Sequence, residues 1–152
     1  MQRRSLYVGR AIEYNCDDAP TLAAFHASDA FARVILGPYG SGKSTACVME
    51  MLRRACEQEP FMGVRRTRWA IIRNTLVQMK RTTIKTWIEW VPESICPVSK
   101  TAPLQAQIKG CRLGDGTILD MEVYFIPLDK IKNIQELESL EVTGAYVNEA
   151  RN

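Results

Sequence analysis

Apolar positions along the chain follow two rhythms, and the switches between them mark out the elements. Arg33 to Leu36 (RVIL) is a short apolar run ending at Gly37 and predicts a buried strand. Beyond it, Val48, Met51, Leu52 and Ala55 recur at helical spacing while Glu50, Arg53, Arg54 and Glu57 take the other side. That pattern predicts an amphipathic helix of about four turns, with Pro60 just past its end. Trp69 to Arg73 (WAIIR) predicts a second buried strand. From Thr75 onward, Val77, Ile84 and Val91 repeat every seven residues, with Trp87 and Ile88 in the same stripe. A long helix therefore runs to about Trp90, where Pro92 stops it.

After Pro97 the rhythm becomes alternation. Leu104, Ala106 and Ile108 alternate with Gln105, Gln107 and Lys109, and later Leu119, Met121, Val123 and Phe125 alternate with Asp120, Glu122 and Tyr124. Gly114-Asp115-Gly116 lies between the two runs, and Asp-Gly suits a tight reversal, so a β-hairpin or meander is predicted. A polar helical piece from Asp129 to about Leu140 follows, then a third short strand, Gly144 to Val147. Residues 1 to 20 alternate too weakly to assign, and Asn15, Asp17, Asp18 and Pro20 read as a loop. The order strand, helix, strand, helix, hairpin, helix, strand belongs to the α/β class: a mostly parallel sheet flanked by helices, with an inserted hairpin. No repeat, low-complexity tract or linker divides residues 1–152, which read as a single domain.

Composition narrows the class without changing it. With 152 residues, 46% hydrophobic and 24% charged, the chain is an ordinary globular protein rather than a disordered or membrane one. No run approaches the ~18 apolar residues of a membrane span, and no apolar segment follows the basic start MQRRSLYVGR, so a cytosolic protein is expected. Five cysteines, one histidine and no C-x-x-C pair indicate reduced, mostly buried thiols rather than a disulfide framework or a zinc site. The net charge of +3 is small but segregated: between Phe61 and Val91 seven basic residues (Arg65, Arg66, Arg68, Arg73, Lys80, Arg81, Lys85) face one acid, Glu89. From Glu136 to Glu149 there are four glutamates and no basic residue. Such segregation fits either solvated faces of opposite sign or a surface for a polyanion.

The chemistry is carried by Gly37-Pro38-Tyr39-Gly40-Ser41-Gly42-Lys43-Ser44-Thr45, which satisfies G-x-x-x-x-G-K-[ST] between an apolar run and an amphipathic helix. Glycines at 37, 40 and 42 allow backbone conformations that turn successive N–H groups inward around a phosphate chain, and the following helix points its positive end at the same place. In this reading Lys43 reaches the β and γ phosphates of ATP and the Ser44 hydroxyl ligates Mg²⁺. A triphosphatase also needs a carboxylate at the end of a neighbouring strand. Gly144-Ala145-Tyr146-Val147-Asn148-Glu149 has that form: Glu149 stands where a carboxylate polarises the attacking water, and Asn148 stands where a Walker B motif has Asp and is able to accept a hydrogen bond from a magnesium-bound water. Arg73, closing the second strand, is a candidate contact to phosphate, DNA or a neighbouring subunit, against a plain surface salt bridge. His26 reads as structural, the three tryptophans as core, and Phe25 as core rather than an adenine platform.

The segments RVILGPYGSGKSTACVMEMLRRA, TRWAIIRNTLVQMKRTTIKTWIEWVP and LESLEVTGAYVNEAR, in this spacing, resemble the N-terminal ATPase domain of the large terminase subunit of tailed bacteriophages over about residues 22 to 151. The resemblance implies an ASCE-type P-loop NTPase fold, RecA-like, working as a homo-oligomeric ring in the host bacterial cytoplasm. It implies coupling of ATP hydrolysis to movement of double-stranded DNA into a procapsid, with the portal protein and the small terminase subunit as partners and no membrane. Lys43 and Ser44 match the Walker A lysine and hydroxyl and Glu149 the catalytic glutamate, whereas Asn148 departs from the usual aspartate. The chain stops three residues after Glu149, so a sheet left incomplete with an open edge is expected, with no nuclease domain and no nuclease activity in this polypeptide. Two other readings remain: a truncated or split nucleotide-binding module that hydrolyses little and acts with a second chain, and a small-molecule kinase, which would need an acceptor pocket that the hairpin after Pro97 does not signal.

Overall fold

Apolar alternation suits strands with one face on a core and an all-apolar run suits one buried on both, and the sheet has four strands: β1 (Val64–Arg73), β2 (Gln105–Arg112), β3 (Ile118–Pro127) and β4 (Gly144–Val147). In a computed structural model, which describes residues 12–149, they form one sheet in the order β2-β3-β1-β4. The basic N-terminal decapeptide and the residues beyond Glu149 lie outside the described residues. β1 runs parallel to β3, from Val64 opposite Ile118 to Arg73 opposite Pro127, and parallel to β4, from Trp69 opposite Gly144 to Ile72 opposite Val147. β2 is antiparallel to β3, the predicted hairpin, with its register shifted between Ile108 and Cys111. Arg73 and Val147 therefore end neighbouring parallel strands on the same edge.

Helices cover both faces. They are α1 (Pro20–Ala27), α2 (Lys43–Glu57), α3 (Leu76–Gln78), α4 (Ile84–Trp90) and α5 (Ile131–Ser139), with a π-helical turn, Met79–Thr83, joining α3 to α4. On one face Val48, Met49 and Leu52 of α2, Met79 of the π turn and Trp87 of α4 meet Trp69, Ile71, Met121, Val123 and Phe125 in the main core. On the other, Ala70, Ile72 and Ile126 are covered by Leu137 and Leu140, at and just beyond the end of α5. Among the described residues no helix is long and apolar enough to cross a membrane.

Two expectations are corrected. Arg33–Leu36 forms no strand: the segment pairs with none of the four strands, and Val34 is 84% and Leu36 83% exposed. Its anchor is a side chain instead of a ladder, because Arg33 donates to the carbonyls of Phe25 and Ser28 and to Glu50, which fastens it to α1 and α2. The outer edge of β4 is consequently unpaired among the described residues. The helix after Thr75 forms as expected, but Val77 is 59% exposed while Met79 is fully buried. The π turn accommodates one extra residue, with the Ile84 N–H bonded to the Met79 carbonyl, and so slips the apolar stripe out of the seven-residue repeat. α1, which the weak pattern of residues 1 to 20 did not announce, begins at Pro20, a residue suited to a first turn.

One glycine is set by packing. A Cβ on Gly144 would stand 2.4 Å from Cζ3 of the buried Trp69, its register partner on β1. Gly144→Ala is expected to destabilise the fold by about 1–3 kcal/mol, read as a lower urea midpoint with unchanged slope. An unchanged midpoint would mean that Trp69 has room to move.

Candidate functional site

The glycine-rich loop takes the backbone its composition suggests at two positions: Gly40 and Gly42 have φ of +76° and +77°, in the left-handed region that favours glycine. Gly42 is also the N-cap of α2, and no side chain caps that end, so the first N–H groups of a fifteen-residue helix are left for an external acceptor. Lys43 folds back over the loop, its Nζ donating to the Pro38 carbonyl at 2.5 Å and to Ser41 Oγ at 3.1 Å, while Ser41 Oγ donates to the same carbonyl at 2.9 Å. Gly37 lies close to Ser41, and Tyr39 at the tip is fully exposed. Thr45 lies within the first turn of α2. A cavity of about 230 Å³ lies against the loop, lined among others by Pro20, Leu22, Ile35, Leu36 and Pro38.

The strand exits carry a second cluster. Arg73 is 6% exposed. Its Nη2 donates to Glu149 Oε2 at 2.8 Å, and its Nη1 donates to Thr82 Oγ1 at 2.6 Å and Thr83 Oγ1 at 3.2 Å. Asn148 is buried, with its N–H on the Ile72 carbonyl and its Nδ2 donating to Thr83 Oγ1 at 3.0 Å. With Nδ2 spent on Thr83, its remaining side-chain polar atom is Oδ1, an acceptor. Glu149 has φ of +55°, uncommon outside glycine, which sets its carboxylate apart from the line of β4.

Tyr146, on β4, is the side chain between the two clusters, and nothing in the motif pattern marked it. Burial pushes its phenol up to about 12, against a hydrogen bond with Ser44, and the charges of Arg73 and Glu149 also act on it. Helix α2, which bears Ser44, packs on β4. Thr82 and Thr83 were equally unmarked; two threonines on a helix carry no signal until their partners are known.

Other sequence candidates resolve into structure. His26 is buried, its Nδ1 2.8 Å from Glu50 Oε2 and its Nε2 3.2 Å from the Tyr14 hydroxyl, a structural histidine as read. Phe25 lies under the Arg33 guanidinium, 5.0 Å from ring centroid to Cζ. Trp69 and Trp87 are core, and Trp90 packs on its edge. The five cysteines are free, and burial pushes Cys47 up to about 12 and Cys56 and Cys96 up to about 11, which leaves those three thiols protonated near neutral pH. Among the described residues no group of three or more His, Cys, Asp or Glu is arranged to hold a metal ion.

The basic stretch does not form one face. Arg65 pairs with Asp115, Arg68 with Glu122 and Arg73 with Glu149, each by charge-assisted contacts of 2.7–2.8 Å. Lys85 lies 3.9 Å from Glu89, whereas Lys80 and Arg81, exposed on the π turn, have no acidic partner among the described residues. Set against known proteins, the chain matches no family model, no curated protein and no solved structure.

Proposed function

We propose that the chain binds ATP on the loop Gly37–Thr45 and hydrolyses it with Glu149, as the P-loop ATPase unit of a terminase-type motor that moves double-stranded DNA. The observation that carries this reading is the packing of α2, whose first turn holds Lys43 and Ser44, on β4, the strand that leads to Glu149. The uncapped start of α2 and the left-handed Gly40 and Gly42 supply donors for the phosphate chain. Lys43 exchanges the Pro38 carbonyl and Ser41 hydroxyl for phosphate oxygens, and the adjoining cavity gives the base a place. Glu149 takes a proton from water as the water oxygen attacks the γ-phosphorus and the bond to the departing ADP oxygen breaks.

Magnesium fits the donor set in chemistry: Ser44 Oγ and Asn148 Oδ1 are hard oxygens, and an ion that keeps most of its waters and binds substrate phosphates needs few protein ligands. When bound with ATP it supplies charge neutralisation on the phosphates. The neutral Asn148 leaves Glu149 as the one carboxylate of the pair. A ring of like subunits, the portal protein and the small terminase subunit are the partners that the resemblance adds.

The test is phosphate release from ATP with Mg²⁺, with and without duplex DNA. Turnover that needs Mg²⁺ supports the reading. Nucleotide affinity with no turnover until a second chain is supplied supports instead the split nucleotide-binding module, which the pairing of Glu149 with Arg73 favours as the resting condition. Absence of both affinity and turnover would overturn either reading.

A further inference from the structure

The π turn has two sides with different chemistry. Outward it presents Lys80 and Arg81, exposed and without an acidic partner among the described residues. Toward Arg73 it presents the hydroxyls of Thr82, itself exposed, and of buried Thr83, which accept both bonds from Arg73 Nη1, and Thr83 also takes the Asn148 amide. The guanidinium they hold in place donates its other terminal nitrogen to Glu149. Among the described residues its buried Nε has no acceptor. Single π turns inside α-helices are local irregularities that often stand at functional positions, and relaxation to ordinary helical spacing rotates every residue in the turn.

We infer that Met79–Thr83 couples a nucleic-acid phosphate backbone, bound at Lys80 and Arg81, to the freedom of Glu149. The inference rests on the reading of Glu149 as the group that activates water. With the turn as it stands, Thr82 and Thr83 aim Arg73 at Glu149 Oε2, which fixes the orientation of a carboxylate whose side chain is 57% exposed. Two adjacent exposed cations with no acidic partner among the described residues suit adjacent phosphates, and the regular spacing of charge along a phosphate backbone favours a nucleic acid over an acidic protein surface. Phosphates that draw the turn outward move the two hydroxyls off Arg73, and the carboxylate is released. Arg73, Thr82 and Thr83 are positioning residues in this scheme. By linkage, whatever frees Glu149 also strengthens the hold on the backbone.

The experiment uses the full chain and a 30-base-pair duplex as probe. Duplex is expected to raise kcat for ATP about tenfold with little change in KM, an effect lost as salt rises. Thr82→Val with Thr83→Val is expected to raise kcat without duplex and to abolish the stimulation, while Thr82→Ser with Thr83→Ser restores wild-type behaviour. Lys80→Ala with Arg81→Ala is expected to lose the stimulation. A double-valine chain that is still stimulated, or whose kcat without duplex falls, overturns the inference. Hydrogen exchange reads the coupling without turnover: duplex is expected to speed exchange at residues 79–84 and, at a distance, at 148–149, and the second change is absent from the double-valine chain. A wild-type chain that shows both exchange changes but hydrolyses no ATP keeps the coupling and loses the proposed activity. No change at 148–149 overturns the inference whatever the turnover.

Discussion

Glu149→Gln is expected to leave ATP bound and cut its turnover by about 10²–10⁴-fold, the range typical of removing a positioned general base. The substitution keeps the shape of the side chain, and its amide oxygen still accepts from Arg73 Nη2, so neither the strand exit nor the buried arginine is disturbed. What it removes is the capacity to take a proton. Lys43→Ala has the opposite signature: affinity itself falls, because the alanine leaves the phosphate chain without the cation that now rests on the Pro38 carbonyl and the Ser41 hydroxyl. Fluorescent-nucleotide titration with phosphate release on the same samples separates the two. A Glu149→Gln chain that turns over ATP at the wild-type rate would remove Glu149 from the chemistry and with it the proposed reading of the strand exit.

That contrast also marks how far the sequence reaches. Short-range features were legible: the glycines of the loop, the amphipathic α2, the Asp-Gly hairpin, and WAIIR as a buried strand all depend on neighbours within a few residues. Arg33–Leu36 misled because apolarity shows that a segment suits a strand, whereas a ladder needs a partner edge, and the Arg33 side chain offered a competing anchor. The π turn was invisible to a seven-residue repeat that it interrupts. The Arg73–Glu149 pair joins residues 76 apart, and only the parallel register of β1 with β4 brings them together. Placing both at strand ends was within reach of the pattern. Knowing that they bond to each other, and through which threonines, was not.

The second large effect concerns Glu50, about two turns into α2 and buried. Its two oxygens accept from Arg33 Nη1 at 2.6 Å, from Arg53 Nη2 and Nε at 2.6 and 2.9 Å, and from Arg54 Nε at 2.9 Å, with His26 Nδ1 at 2.8 Å. Glu50→Ala is expected to cost about 3–5 kcal/mol, because removing one member of a buried ionic cluster leaves the others uncompensated. Three guanidiniums would remain around a void, with the more exposed Asp29 and Glu57 as their remaining acidic partners among the described residues. Burial by itself would push the Glu50 carboxyl up, but the hydrogen bonds from His26, Arg53, Arg54 and Arg33 outweigh it and hold the group well below the usual carboxylate range. A folded-state value lowered in this way stabilises the fold above the ordinary carboxylate range, and the contribution is lost as pH falls through that range toward the folded-state value. Urea unfolding at pH 7 and pH 3 is therefore expected to show a smaller difference for Glu50→Ala than for the wild type. Because Arg33 is the anchor of the segment that enters the loop, the same variant is also expected to weaken nucleotide affinity, although Glu50 touches no residue of the loop. Equal pH dependence in both chains would mean that the cluster persists on unfolding or that Glu50 stays charged for other reasons, and the stabilising role assigned to it would be lost.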